Sequence, residues 1–262
     1  MHRAANYLRA KFGKGPRKAV VESLTITASD ARRLKVWLID DGDDYYYSSC
    51  LSLVDGLRAV ECGFLTWATV KFYYSVFYSL RAIMAWNGIA LFHPEDGGLY
   101  CVAATAGEHP SLTTGNDAKG THKGLLKCFR ERFPKHLLLS QDIDLVDGLA
   151  WMLEKREDAN YGTARFTEPE TPGHYEQISS LGVRKAIAAY LGPDADLLAF
   201  DRDHAIAAFP LAVLRSAGGI AVSRGGAGVD QGELEFLRLK CRERQAALAP
   251  LMLFVEKTIK VT

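Results

Sequence analysis

The stretch "GFLTWATVKFYYSVFYSLRAIMAWNG", residues 63–88, is apolar around nearly the whole circumference of a helix. A helix at a protein surface keeps a polar face toward water, so one without such a face is surrounded by other elements. The spacing predicts a helix from about Phe64 to Trp86. Asn87-Gly88 would stop it, because both residues accept the left-handed backbone that closes a helix. A central helix of this kind makes the expected fold class mainly α.

The flanking sequence supplies its partners. Upstream, "YSSCLSLVDGLRAV" (47–60) has helical periodicity. Downstream, Thr121 is placed to cap "HKGLLKCFRERF", which ends before Pro134. Ser140 is placed to cap "QDIDLVDGLAWMLEKREDANY", with Asp142 and Asp144 in the first turn, where the helix dipole favours negative charge. Leu145, Leu149, Met152 and Leu153 would mark its buried face. Four helices with short or moderate connections in residues 46–165 are the material of an up-and-down bundle.

Outside this bundle the patterns are more mixed. Residues 1–45 read as an N-terminal arm, with "SLTIT" and "KVWLI" as short strands because they gather β-branched and aromatic residues. The loop "IALFHPEDGG" and the stretch "LYCVAATAGEHPSLTTGNDAKG" read as a connection or small insertion. "TARFTEPETPG" (163–173) reads as a linker, and residues 172–262 as a helical C-terminal extension. Within it the glycine-rich "GGIAVSRGGAG" is expected to be a mobile loop, and it lacks the Gly-Lys-Ser/Thr of a P-loop.

Composition narrows the function classes. Lys and Arg number 32 and Asp and Glu 31, so bulk charge offers no general attraction to nucleic acid or anionic lipid. The five cysteines are scattered, with no C-x-x-C, which argues against a disulfide framework or zinc site. The expectation is a cytoplasmic protein with no metal, no cofactor and no membrane partner. Neither H-E-x-x-H nor G-x-S-x-G occurs, which removes the common zinc-protease and serine-hydrolase readings.

The chemistry-bearing stretch is "EKREDANYG" (154–162), a group of charges where a core-facing helix should end. With "TVKFYYSVFYSLRAIMAWNG" and "THKGLLKCFRERFP" before it, "LEKREDANYG" completes three ordered motifs. In that order and spacing they resemble one branch of the HEPN superfamily, which combines an aromatic-rich second helix, a Thr-His-Lys-Gly helix start and a final Arg-x-x-x-(Asp/Asn)-Tyr. The resemblance covers about residues 47–163. It implies a helical bundle that dimerises through its final helices, and in many members a metal-independent ribonuclease. Their usual signature is an Arg, then a polar residue, then a His four to six positions after the Arg. Arg156 and Glu157 match the first two, but Asn160, Tyr161 and Gly162 stand where the His belongs.

Metal-independent RNA cleavage needs a base for the 2′-hydroxyl, an acid for the leaving oxygen and a cation for the phosphorane. Arg156 can supply the cation through its planar fork of donors. His usually serves as the base near neutral pH, and neither Asn160 nor an ordinary Tyr161 replaces it easily. Two rescues stay open: His122 brought close by the bundle or its dimer, or Asp158 with a raised pKa. The resemblance thus implies Arg156, Asp158, Asn160, Tyr161 and His122 as catalytic candidates. Lys123, beside His122 in the first turn of its helix, can contact phosphate, and Tyr74 can stack on a base.

Each of these features also has a plain structural explanation. Arg156, Glu157 and Asp158 can form a solvated helix end, with Lys155 and Arg156 complementing its dipole. Tyr73, Tyr74 and Phe77 can be core or dimer interface. Arg130 and His136 have the signature spacing, but Pro134 interrupts the helix between them. Asp201, Asp203 and His204 read as charges opening an amphipathic helix. The resulting expectation is a HEPN-type protein of a bacterial defence or toxin-antitoxin system that cuts or binds RNA as a homodimer. The alternative is a non-catalytic module that dimerises or holds a partner such as a nucleotidyltransferase.

Overall fold

The computed structural model describes residues 2–12, 18–94, 98–113, 120–162, 166–191, 200–242 and 247–262. Expectations that fall on intervening residues, among them the start of the linker at 163–165 and part of the helical stretch at 194–199, lie outside the described residues. The chain is mainly helical, as its apolar periodicity implies. Its residues cluster into two units, one of 1–45 with 80–134 and one of 46–79 with 135–262.

Two long helices contribute residues to both units: α3 (Ala28–Glu61) and α4 (Leu65–Trp86). The α4 bounds match the expected central helix, and Gly88 closes it with φ +75°. The arm's expected strands are corrected by α3, which is continuous through "KVWLI" and through residues 45 and 46. A reciprocal cap at Thr27-x-x-Asp30 overrides the β-branched signal. The Thr27 N–H donates to the Asp30 carboxylate at 2.8 Å, and the Asp30 N–H donates back to the Thr27 hydroxyl at 3.2 Å. That box satisfies helix-start donors which a strand at this place would leave to water.

The first unit also holds α1 (Arg3–Phe12), α2 (Lys18–Ser23) and α5 (Gly120–Arg132). Asp41 caps α1 by accepting from the Arg3 and Ala4 N–H groups at 2.8 and 2.9 Å. The stretch expected to be a connection or small insertion forms an antiparallel sheet of β1 (Ile89–Phe92), β2 (Tyr100–Ala103) and β3 (Ser111–Leu112), in that order. Ala90, Phe92, Val102, Leu125 and Phe129 bury their side chains in this unit. Each such burial contributes about 1.5–3 kcal/mol for the larger side chains.

In the second unit the expected helix from residue 141 starts later. Asp142–Ile143 (β4) and Val146–Asp147 (β5) form a small hairpin, and its two turn residues, Asp144 and Leu145, have φ of 52° and 66°. Positive φ at both central residues is the two-residue hairpin turn that matches strand twist. Ser140 therefore caps no α-helix, and Leu145 is 95% exposed rather than buried. The helix proper is α6 (Gly148–Glu157), capped by Asp147, whose carboxylate accepts from the Leu149 and Ala150 N–H groups at 3.1 Å each.

The C-terminal extension is helical: α7 (Glu176–Leu181), α8 (Val183–Leu191), α9 (Ala205–Ser223), α10 (Gln231–Arg242) and α11 (Ala249–Thr258). A short parallel pair, β6 (Ala227–Val229) and β7 (Ile259–Val261), joins it. Much of the glycine-rich segment expected to be a loop is the last turns of α9; only Gly225 and Gly226, at φ +87° and +102°, end the helix. Among the described residues α9 alone is long and apolar enough to cross a membrane, and 72% of that window is buried in the protein. Its apolarity is accounted for by packing against α8 and α11. The start of α6 also lies against it, with Gly148 facing the Phe209 ring so closely that no larger residue fits.

Candidate functional site

The site is built where α6 runs out. Residues Asp158–Gly162 continue it as a π-helical turn, whose wider i→i+5 closure often accompanies functional positions. The Asp158 N–H donates to the Glu154 and Lys155 carbonyls as the helix changes pitch. This turn folds Tyr161 back beside Arg156.

Arg156 lies among aromatic rings. Its guanidinium carbon is 5.5 Å from the Tyr161 ring centre and 6.0 Å from that of Tyr73, within cation–π range. It also donates a side-chain hydrogen bond to the Tyr74 hydroxyl. Its Nε is buried and has no hydrogen-bond partner, and among the described residues no carboxylate pairs with it. A buried donor without an acceptor carries a desolvation cost of about 1–3 kcal/mol.

The rings come from α4. Tyr73 and Phe77 are buried in the core, whereas Tyr74 and Tyr78, one turn apart, are half-buried and stacked at 6.0 Å. Burial pushes the Tyr73 phenol well above its ordinary range, although Arg156 pulls the other way. Tyr73 is therefore a neutral ring beneath the cation.

The remaining sequence candidates divide between the units. Asp158 is exposed and 3.8 Å from Lys155, Asn160 is half-buried and Tyr161 is 75% exposed, all at the Arg156 end of α6. His122 and Lys123 stand in the first turn of α5, in the other unit, half-buried and exposed respectively. Thr121, expected as the cap there, is inside the helix, and its hydroxyl meets the His93 ring at 3.0 Å.

The sequence gives no sign of the cavity beside this helix end. It measures about 260 Å³ and is lined by Thr66 and Thr69 of α4, Lys155, Asp158, Phe166 and His174, among others. His174 follows the linker, within a single 3₁₀ turn at Gly173–Tyr175. Burial, with Lys155 nearby, lowers its pKa to about 4, so the ring is neutral at pH 7. The linker also supplies Glu168, whose carboxylate accepts from the Thr66 N–H and hydroxyl at 2.7 Å each and so caps α4. The Tyr175 hydroxyl donates to the Leu65 carbonyl at 3.0 Å and meets the Thr69 hydroxyl at 2.9 Å, which satisfies the cavity floor.

Among the described residues no three His, Cys, Asp or Glu side chains are grouped to hold a metal ion. The arrangement offers a cation without a counter-ion among the described residues, aromatic faces, and a neutral imidazole in an adjoining cavity. No family model matches the chain, and no curated protein or solved structure does.

Proposed function

We propose that the chain is a HEPN-like helical protein of a bacterial defence or toxin-antitoxin system that binds RNA through Arg156, acting as a cytoplasmic homodimer. The observation that carries this reading is the Arg156 guanidinium, held by three tyrosines, with a buried Nε that lacks an acceptor and no carboxylate partner among the described residues. A cation surrounded by rings keeps its whole charge for a ligand, and a planar fork suits phosphate. The ordered resemblance of the three motifs supports RNA as the source of that phosphate, and Tyr74 and Tyr161 offer faces for bases.

Cleavage would use the same cation to stabilise the phosphorane, with Asp158 or Tyr161 taking part in proton transfer and Asn160 offering hydrogen bonds. The second reading, a non-catalytic module that holds a partner such as a nucleotidyltransferase, is favoured by Asn160 standing in the signature His position and by Asp158 lying exposed beside Lys155. RNA binding and RNA cleavage in metal-free buffer, measured for wild type and Arg156→Ala, separate these readings. Binding that depends on Arg156 supports the RNA site, and cleavage that depends on it adds catalysis. Equal behaviour of the two proteins sinks the RNA site and its catalysis and leaves the partner-holding module.

A further inference from the structure

The cavity beside the π-helical turn has walls of mixed character. Leu65, Phe166 and Pro172 are apolar, while Lys155, Asp158 and His174 bring polar atoms to it. Thr66 and Thr69 are committed to Glu168 and Tyr175, so they are floor rather than free donors. Among the described residues the His174 ring makes no hydrogen bond; its contacts are the Trp151 and Tyr175 rings. A neutral imidazole presents one donor and one acceptor. Phe166, which lines the cavity, stands edge to face with Trp67 at 6.0 Å, the two rings 55% and 51% exposed.

The cavity also has a fixed relation to Arg156. Thr66, Thr69 and Tyr73 follow one another along α4, and the helical rise puts Tyr73 about 6 Å beyond Thr69 and about 10 Å beyond Thr66. Tyr73 is the ring under Arg156. The cavity floor and the ring beneath the cation thus lie one to two helical turns apart along α4. At about 260 Å³ the cavity is smaller than the roughly 300–1,000 Å³ of pockets for larger ligands, which suits one planar heterocycle.

We propose that this cavity is a nucleobase subsite, in which a base stacks against Phe166 and meets His174 with its polar edge while its phosphate reaches Arg156. The assignment of the phosphate rests on the reading of Arg156 given above; the base cavity stands on its own residues. The base can belong to an RNA strand or to a free mononucleotide, and the ligands in the test tell these apart.

The test compares wild type with Phe166→Ala, His174→Ala and Ala159→Leu, the last adding bulk at the cavity wall. The ligands are the four ribonucleosides, their 5′-monophosphates, a labelled oligoribonucleotide, and the same oligonucleotide with one abasic position at each site in turn. Wild type should bind at least one nucleoside, and one abasic position should weaken oligonucleotide binding. Losing one stacked base costs about 1–3 kcal/mol, roughly 5- to 150-fold. Phe166→Ala should lose a similar factor and become indifferent to the abasic position, and His174→Ala should flatten the preference among bases. Monophosphates that bind as tightly as the oligonucleotide identify a free nucleotide as the ligand; much tighter oligonucleotide binding identifies a strand.

Arg156→Ala should retain nucleoside binding while losing that of monophosphates. If Arg156→Ala weakens RNA binding and all three cavity variants match wild type, the cavity proposal is overturned and the RNA site stands. If nucleosides bind in a Phe166-dependent way while Arg156→Ala changes nothing, the cavity stands and the RNA site falls. Thermal melts of each variant identify any that fails to fold; Phe166, exposed at the surface, then decides the outcome.

Discussion

Arg132 and Arg156 each stand in the last turn of a helix, and their surroundings differ in kind. Arg132 closes α5 in the first unit with its Nη1 3.5 Å from the Glu108 carboxylate and its charge beside the Cys101 and Cys128 thiols. Cys128, hydrogen-bonded to it, and Arg132 together hold the Cys101 thiol below its ordinary range, against the effect of burial. Arg156 closes α6 in the second unit among neutral rings and a phenol hydroxyl. Rings hold a guanidinium in place without neutralising it, whereas a carboxylate and polarisable thiols absorb its field. One arginine is thereby tied into the charges of its own unit, and the other keeps its charge unneutralised among the described residues.

The largest effect should come from breaking that difference at Arg156. Arg156→Ala is expected to weaken RNA cleavage by about 10²- to 10³-fold if the site is catalytic, the usual loss for one phosphorane- or oxyanion-stabilising donor. Arg132→Ala should leave RNA binding and cleavage unchanged. Parallel assays on both variants check this, and equal losses would remove the distinction between the two residues.

A stability effect of the next size tests whether α6 carries its arginine rigidly. In Gly148→Ala the new methyl would lie 2.4 Å from the Phe209 ring, so the seat of α6 against α9 must shift. Overpacking of this kind costs about 1–3 kcal/mol. Denaturant melts should show that loss, with weaker RNA binding following as Arg156 is displaced.

Glu168→Gln should cost about 0.5–2 kcal/mol, the usual worth of a helix cap. Burial would raise the Glu168 pKa, but the hydrogen bonds from Thr66 outweigh it and hold the carboxyl below its ordinary 4.5. A carboxyl with a depressed folded pKa stabilises the fold above its unfolded value and loses that contribution as pH falls. The stability gap between wild type and Glu168→Gln should therefore be full above about pH 5 and narrow below pH 4.5. Melts across that range measure it; a gap that ignores pH would show that the charge of Glu168 does not contribute.

The smallest effect is expected for Arg132→Ala on stability. Its ion pair with Glu108 is part-exposed, so its loss should cost no more than about 1 kcal/mol. The Cys101 thiol should titrate at a higher pH in the variant, read from ultraviolet thiolate absorbance, with Cys101→Ser as the control. An unchanged titration would mean that Arg132 does not act on the thiol.

How much of this could be read in advance depended on whether the signal was local. The α4 helix was legible because all-round apolarity and an Asn-Gly stop lie within one stretch. Before α3 the sequence carries two opposed local signals, β-branched residues that favour strand and the capping box in "TASD" that favours helix, and the box prevails. The start of α6 was misplaced because Ser140 and Asp147 are both good caps, and only the pairing of Asp142–Ile143 with Val146–Asp147 decides between them. Arg156 stood out as a charge at a helix end. His174 did not, because a lone histidine after a linker has no pattern around it.

The sequence by itself determined that the protein is mainly helical, that α4 is central, and that a charged segment ends α6. These follow from periodicity and end signals, which act over a few residues. Only the tertiary structure decided that Tyr73 and Tyr74 enclose Arg156, that no carboxylate among the described residues neutralises it, and that Phe166 and His174 meet at one cavity. Arg156 and its α4 rings are about 80 positions apart in the chain, and the cavity sets Phe166 and His174 against α4 residues about 100 positions away; such pairings are set by how helices pack rather than by local pattern.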